Sequence, residues 1–209
     1  MRYRPLGSTG LQVSVLAFGA SSLGGVFRSI DEGSGIAAVH TALDLGINLI
    51  DVSPYYGLTV AETVLGRALK GVDRDSYLLA TKVGRYGEAE FDFSPERVVA
   101  SAHESMRRLG VDYLDVLQCH DIEFGDLDQI VDETLPALEG LRAAGLVRFI
   151  GVTSFPVPAL VAVARRHRID TVMSYCNYTI ENRNLEPWLA DLEGEGLGVM
   201  NASRWGWVC

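Results

Sequence analysis

The sequence predicts an α/β fold: a (β/α)8 TIM barrel that is incomplete, with seven strands in one domain over residues 1–209. Three observations predict it. Strand-like and helix-like patterns alternate along the chain, which implies a parallel sheet with right-handed crossovers. The strand-like runs are nearly continuous apolar stretches, as expected where both faces of a sheet are covered. Three of them close on a polar residue: I-N-L-I-D at Asp51, Y-L-L-A-T-K at Lys82 and Y-L-D-V-L-Q-C-H at His120. In a parallel barrel the carboxyl ends of all strands meet at one mouth, so these residues are expected to converge.

The elements follow in order. The run V-S-V-L-A-F-G, 13–19, reads as the first strand, and Gly35 to Leu45 as a helix with Ile36, Val39 and Leu43 on one face. Gly46 then precedes a strand at 47–51, Gly71 one at 77–82 and Gly110 one at 113–120; Gly145 precedes 147–153 and Gly196 precedes 197–201, with a further strand at 171–175. A glycine just past a helix end supplies the left-handed residue that turns the chain back toward the next strand. Ser94-Pro95-Glu96 opens a helix, with Ser94 able to cap, Pro95 suited to the first turn, and Val99, Ala102, Met106 and Leu109 along one face. A doubly wound open sheet is the rival fold. It would want a phosphate loop after the first strand, and F-G-A-S-S-L-G-G does not fit G-x-G-x-x-G.

Composition bounds the function. With 209 residues, 48% of them hydrophobic, the chain can bury a sizeable core. A net charge of -9 argues against nucleic acid or an anionic membrane as partner, because both reward a basic surface. The sequence contains no membrane-span-length apolar run and no signal-peptide core, so a cytoplasmic location is expected. Cys119, Cys176 and Cys209 show no paired spacing and read as free thiols. His40, His103 and His167 have no metal-ligand spacing and read as structural, so no metal is expected. The run R-R-H-R at 165–168 sits near a helix end, where cations complement the dipole.

Asp51, Lys82 and His120, with Tyr56 five residues after the first, bring a carboxylate, an amine, an imidazole and a phenol to one pocket. That is the equipment of an acid/base site. Each also has a plainer role: Asp51 as a turn cap, Lys82 as a solvated strand end, His120 as a structural imidazole, and Tyr56, with Tyr55 equally eligible, as a rim aromatic. Asp121 can orient His120 or form a surface ion pair. Glu62 in A-E-T-V-L-G can serve as an exposed first-turn carboxylate.

Longer motifs carry a resemblance. R-P-L-G-S-T-G-L-Q-V-S-V-L-A-F-G, N-L-I-D-V-S-P-Y-Y-G-L-T-V-A-E-T-V-L-G, the later T-K and H-D, and F-I-G-V-T-S resemble the aldo-keto reductase superfamily over the whole chain. C-H-D-I-E-F-G-D-L-D-Q-I-V and F-G-A-S-S-L-G-G-V-F are similar to its L-galactose dehydrogenase and aldose 1-dehydrogenase branch. The resemblance implies a catalytic tetrad of Asp51, Tyr56, Lys82 and His120, and places Glu62 behind the site. It implies NAD or NADP as cofactor and a small sugar or carbonyl as substrate, an aldose being oxidised to its lactone. A tyrosine titrating near pH 10 needs a cation beside it to exchange protons near neutrality, and Lys82 is expected to lower its pKa, with Asp51 holding the ammonium. Thr153, Ser154, Ser174 and Ser203 fall at the cofactor-binding positions, serines replacing the family's asparagine and glutamine at 154 and 174.

After strand seven the family pattern resembles A-S-P-L-x-M-G-L-L, whereas this chain reads A-S-R-W-G-W-V-C. One inserted base in a permitted codon choice converts S-R-W-G-W-V-C into S-P-L-G-M-G-L-L. Arg204 to Cys209 are therefore expected to be a frameshifted tail on a truncated reductase, the alternative being a genuine short variant. A barrel without its eighth strand is expected to expose sheet edges, to self-associate through them and to bind cofactor poorly. The competing function is then a catalytically impaired remnant or a noncatalytic interaction subunit.

Overall fold

The structure, a computed structural model, describes residues 1–26 and 29–202. An antiparallel hairpin of β1 (Tyr3–Pro5) and β2 (Gln12–Ser14) precedes a parallel sheet. The sheet runs in chain order through β3 (Phe18–Gly19), β4 (Leu49–Asp51), β5 (Leu78–Val83), β6 (Leu114–Cys119), β7 (Val147–Ser154), β8 (Thr171–Tyr175) and β9 (Gly198–Ala202). The seven parallel strands expected from sequence are present. Between them lie α1 (Glu32–Asp44), α2 (Val60–Leu69) and α3 (Pro95–Leu109). A short α4 (Leu127–Gln129) passes through a π turn, Ile130–Thr134, into α5 (Leu135–Ala143). Then come α6 (Val157–Ala164) and α7 (Leu189–Gly194).

The expected first strand at 13–19 is two elements. Asn48 breaks it: its Oδ1 accepts the Ser14 N–H at 2.7 Å, while Ser14 Oγ donates to Leu16 O at 2.6 Å. These bonds turn the chain, leave Leu16 exposed, and assign residue 14 to the hairpin and residues 18–19 to the barrel. The helix expected from Gly35 begins at Glu32, because Asp31 Oδ2 caps it by accepting the Ser34 N–H. Ser94 sits at the N-cap of α3 but makes no side-chain capping bond; its own N–H goes to Asp92 Oδ1. The glycines at 46, 71, 110, 145 and 196 all have positive φ, as the strand-return argument requires.

Alternation along the strands divides the core. Outward residues such as Ile50, Leu79, Leu117, Ile150 and Val172 pack under the helices and are essentially unexposed. Inward residues Leu49, Ala80, Val116, Met173 and Met200 meet one another and Leu6, Leu11 and Val13 of the hairpin. The sheet therefore curls around a second, inner cluster, and the hairpin stoppers its amino-terminal end. Gly7 permits that fit: a Cβ there would lie 2.3 Å from Gly198 N, and its φ is +54°. Ser8 N–H secures the loop on Gly196 O at 2.7 Å.

Among the described residues no helix is long and apolar enough to cross a membrane, and no group of His, Cys, Asp or Glu is placed to hold a metal ion. His40 Nε2 bonds Ala68 O at 2.7 Å. Within R-R-H-R, which begins just after α6, Arg166 pairs with Asp128. Cys119 and Cys176 are buried; burial pushes the Cys119 thiol up to about 12.

Candidate active site

The carboxyl ends of β4, β5 and β6 bring the predicted polar residues together. Asp51 ends β4, Lys82 lies one residue from the end of β5, and His120 directly follows β6. Lys82 is 1% exposed, and its Nζ donates to Asp51 Oδ1 at 2.5 Å and Val52 O at 2.9 Å. The same ammonium lies 4.9 Å from the centre of the Tyr56 ring. Tyr56 in turn meets His120 edge-on, with ring centres 5.8 Å apart. Sequence left Tyr55 and Tyr56 equal; the cations separate them. Tyr55 stacks instead under the Arg85 guanidinium at 3.9 Å.

Two buried residues that sequence reasoning missed orient this set. Gln118 Nε2 donates to Asp51 Oδ2 at 3.3 Å, leaving Oδ1 to Lys82. Its place two residues before His120, on the same strand face, was the available signal. Ser53 Oγ lies 3.1 Å from His120 Nδ1 and accepts the Tyr55 N–H at 3.1 Å. Ser53 Oγ keeps a second lone pair and its own proton, so it can meet Nδ1 in either ring tautomer. Arg85, also missed, carries no periodic signal in the sequence.

Asp121 forms neither a surface ion pair nor a simple brace for the imidazole. It is 2% exposed, holds a left-handed φ of 54°, and pairs with Arg85. Thr153 Oγ1 accepts the Asp121 N–H at 3.0 Å. Those bonds over-determine a backbone conformation that non-glycine residues avoid. His120 Nε2 lies 3.7 Å from Asp121 Oδ2. Glu62 is fully buried, accepting from Thr81 Oγ1 and Arg108 Nε, both at 2.7 Å. It lies behind Lys82 as the resemblance implied, with no solvent-exposed role.

The electrostatics revise one expectation. Burial raises the Tyr56 pKa; Lys82 pulls it down and Asp51 pushes it back up, and the net shift is upward. Lys82 therefore does not outweigh burial, and the resting phenol is protonated. Burial works against the Lys82 ammonium, yet Asp51 and Tyr56 hold its pKa above the ordinary value. Burial, then the charges of Lys82 and Arg85, hold the His120 imidazole well below its usual range.

That shift fixes a pH dependence of stability. A histidine whose folded pKa lies below its unfolded value, near 6.5, takes up a proton more readily in the unfolded chain. Its contribution is full above about pH 6.5 and is lost as pH falls toward the folded pKa. Urea denaturation between about pH 6 and about pH 5 is expected to show a stability slope steeper by ~1.4 kcal/mol per pH unit than in His120→Gln. Equal slopes in the two proteins would show that His120 does not contribute it.

The remaining predicted positions lie on the β7–β9 side of the mouth. Thr153, in step with inward-facing Met173, sits beside Asp121. Ser154 and Ser174 are register partners and fully buried, and alternate with the inward positions. Ser154 Oγ donates to Pro156 O at 3.3 Å, and Ser174 Oγ accepts from Asn177 Nδ2 at 3.1 Å. The structure thus brings the four tetrad residues and Thr153 together and turns the two serines to the outer face. Ser203 and Arg204 to Cys209 lie outside the described residues. A cleft of about 730 Å3 opens instead at the opposite face, between the ends of α2 and α3. Three of its four lining arginines are already paired, Arg67 with Glu32, Arg74 with Asp115 and Arg108 with Glu62.

A parallel barrel with a Tyr-Lys-Asp-His cluster at its carboxyl mouth defines the class, and a sequence profile of the Aldo/keto reductase family matches residues 15–205. The chain belongs to that family. It is 50% identical over 205 residues to the L-galactose dehydrogenase of Arabidopsis thaliana, a match covering 96% of this chain and 64% of that protein. It is 33% identical over 196 residues to the D-threo-aldose 1-dehydrogenase of a Pseudomonas species, covering 83% of this chain and 60% of the relative. The chain therefore spans about three fifths of these relatives' length. Among solved structures, the aldo-keto reductase AKR11C1 from Bacillus halodurans in its holo form superposes with a TM-score of 0.83 at 32% identity, covering 96% of this chain and 65% of that one.

Proposed function

We propose that this chain is the barrel portion of a nicotinamide-dependent oxidoreductase acting on a small neutral sugar, oxidising an aldose at its anomeric carbon to the lactone. The observation that carries the reading is the contact set of Lys82 with Asp51 and the Tyr56 ring beside a neutral His120. Its 50% identity to an L-galactose dehydrogenase supports the substrate class.

The chemistry of the residues fits the cofactor. The cluster can move protons but offers no group that accepts a hydride, and NAD or NADP, when bound, supplies that acceptor. Thr153, with the strand ends that Ser154 and Ser174 pin, would hold the nicotinamide end, and the resemblance adds Ser203 to the cofactor-binding set. Tyr56 serves as general base for the substrate hydroxyl in oxidation and as general acid in the reverse direction. Lys82, held in place by Asp51, is the cation that favours the phenolate against burial. His120 donates through Nε2 to the substrate oxygen and orients it, and because it stays neutral it does not compete for the transferred proton. One domain over residues 1–209, in the cytoplasm, is part of the same reading.

The test is absorbance at the reduced-nicotinamide band with a panel of aldoses and both cofactors. Turnover of L-galactose supports the reading, and no turnover with any aldose defeats it for this chain. A second reading, the noncatalytic, self-associating remnant, is favoured by one observation. Among the described residues β3 and β9 each pair on one side only, and unpaired edges invite strand addition. Silence in the assay together with concentration-dependent dimers in sedimentation would select it.

A further inference from the structure

Asp121 stands beside His120 without bonding it. Its Oδ2 lies 3.7 Å from His120 Nε2, too far for a hydrogen bond, although both side chains are buried. Both carboxylate oxygens are engaged elsewhere. Oδ1 accepts from Thr153 Oγ1 at 3.4 Å, and Oδ2 accepts from Arg85 Nη1. Arg85, just past β5, is itself held on several sides. Its guanidinium lies 3.9 Å from the centre of the Tyr55 ring and 5.2 Å from that of Phe91. Nε donates to Gly87 O at 3.4 Å and Nη2 to Glu88 O at 3.5 Å. A fork fixed by stacking and by backbone carbonyls pins the carboxylate oxygen that it binds.

The imidazole is left with one nitrogen open. Nδ1 meets Ser53 Oγ at 3.1 Å, while Nε2 has no hydrogen bond among the described residues. Asp121 is the one carboxylate within 4 Å of a His120 nitrogen among those residues. Its charge favours the proton on Nε2 over Nδ1, whereas a direct bond would occupy that proton. The other charged and titratable neighbours do not compete for it. Asp51 is bound to Lys82. Glu123, two residues after Asp121, is engaged by the Phe155 N–H at 2.9 Å and the Tyr175 hydroxyl at 3.0 Å. Burial first, with nearby carboxylates, raises the pKa of both Tyr56 and Tyr175, so each stays protonated.

We propose that Arg85 is a positioning residue: by binding Asp121 Oδ2 it keeps that carboxylate off His120 Nε2 and leaves the nitrogen free to donate to the substrate oxygen. The inference rests on the oxidoreductase reading above and adds to it the residue that frees the orienting imidazole. Without Arg85, Asp121 can close the 3.7 Å gap. The loss of a cation and the gain of a carboxylate contact then both stabilise the imidazolium, so the two effects raise the His120 pKa together.

The experiment follows the His120 imidazole of the full-length chain by nitrogen NMR against pH, its signal identified by its absence from His120→Gln. The wild-type ring is expected to titrate below the ordinary value of about 6.5. In Arg85→Met the midpoint should rise by about one unit or more, and the acid limb of kcat/KM for L-galactose should move with it. Arg85→Met/Asp121→Asn should return the midpoint at least halfway. A merely structural role would lower the rate at every pH and leave both midpoints in place. An unmoved midpoint in Arg85→Met overturns the proposal, as does a shift that persists undiminished in the double variant. If Arg85→Met does not fold, the wild-type titration decides: a midpoint at or above about 6.5 means that Asp121 already holds the ring, and overturns it. The titration needs no turnover. A shifted midpoint in a chain that oxidises no aldose would overturn the oxidoreductase reading and leave the hold of Arg85 on Asp121 standing.

Discussion

Tyr56→Phe is expected to lower kcat for L-galactose oxidation by ~10^2- to 10^4-fold, the range that a positioned proton carrier contributes. KM is expected to change far less, since the ring and its edge-on contact with His120 remain. The pH profile sharpens the test. The phenol has a raised pKa in the resting site, so the wild-type oxidation rate should climb as pH rises toward about 10 and the base becomes available. The residual rate of the variant should be flat over that range. A Tyr56→Phe enzyme that retains both rate and slope would move the proton chemistry elsewhere. Tyr55→Phe is the matched control, because Tyr55 faces Arg85 instead of Lys82.

Lys82→Met is expected to abolish turnover and to destabilise the fold by ~3–5 kcal/mol, the cost of leaving one member of a buried ion pair alone. Asp51 would keep only the Gln118 amide at 3.3 Å as partner. The double variant Asp51→Leu/Lys82→Met separates the two effects. Replacing a whole buried pair by apolar side chains is often neutral, so stability in urea should recover by at least about half while activity stays lost. No recovery in the double variant would mean that the pair is not the source of the loss.

The strands were legible because period and burial agree. Runs such as that leading to Cys119 are buried on both faces, and the glycines with positive φ punctuate them. Asp51, Lys82 and His120 were legible for the same reason, as polar endings on apolar runs. The hairpin boundary was not, because it depends on Asn48, 34 residues away from Ser14. Arg85 and Glu123 escaped for a related reason. Their roles come from loops that approach only after the barrel closes, and no local pattern marks an arginine that will meet Asp121 or a glutamate that will meet Tyr175. Ser154 and Ser174 show the converse limit. Both lie at carboxyl strand ends, yet alternation carries their hydroxyls into local bonds on the outer face.

The hairpin that stoppers the amino-terminal end has a kinetic meaning. With Leu6, Leu11 and Val13 packed against Met173 and Met200, the amino-terminal end of the sheet's inner face is filled, and the polar cluster is left to be approached from the carboxyl end. Two ligands sharing one entrance cannot come and go independently: the one seated deeper arrives first and leaves last. For the function proposed above, a compulsory order of binding, with turnover set by the last departure, is the expected result of three apolar side chains at the far end of the molecule, and product-inhibition patterns would check it.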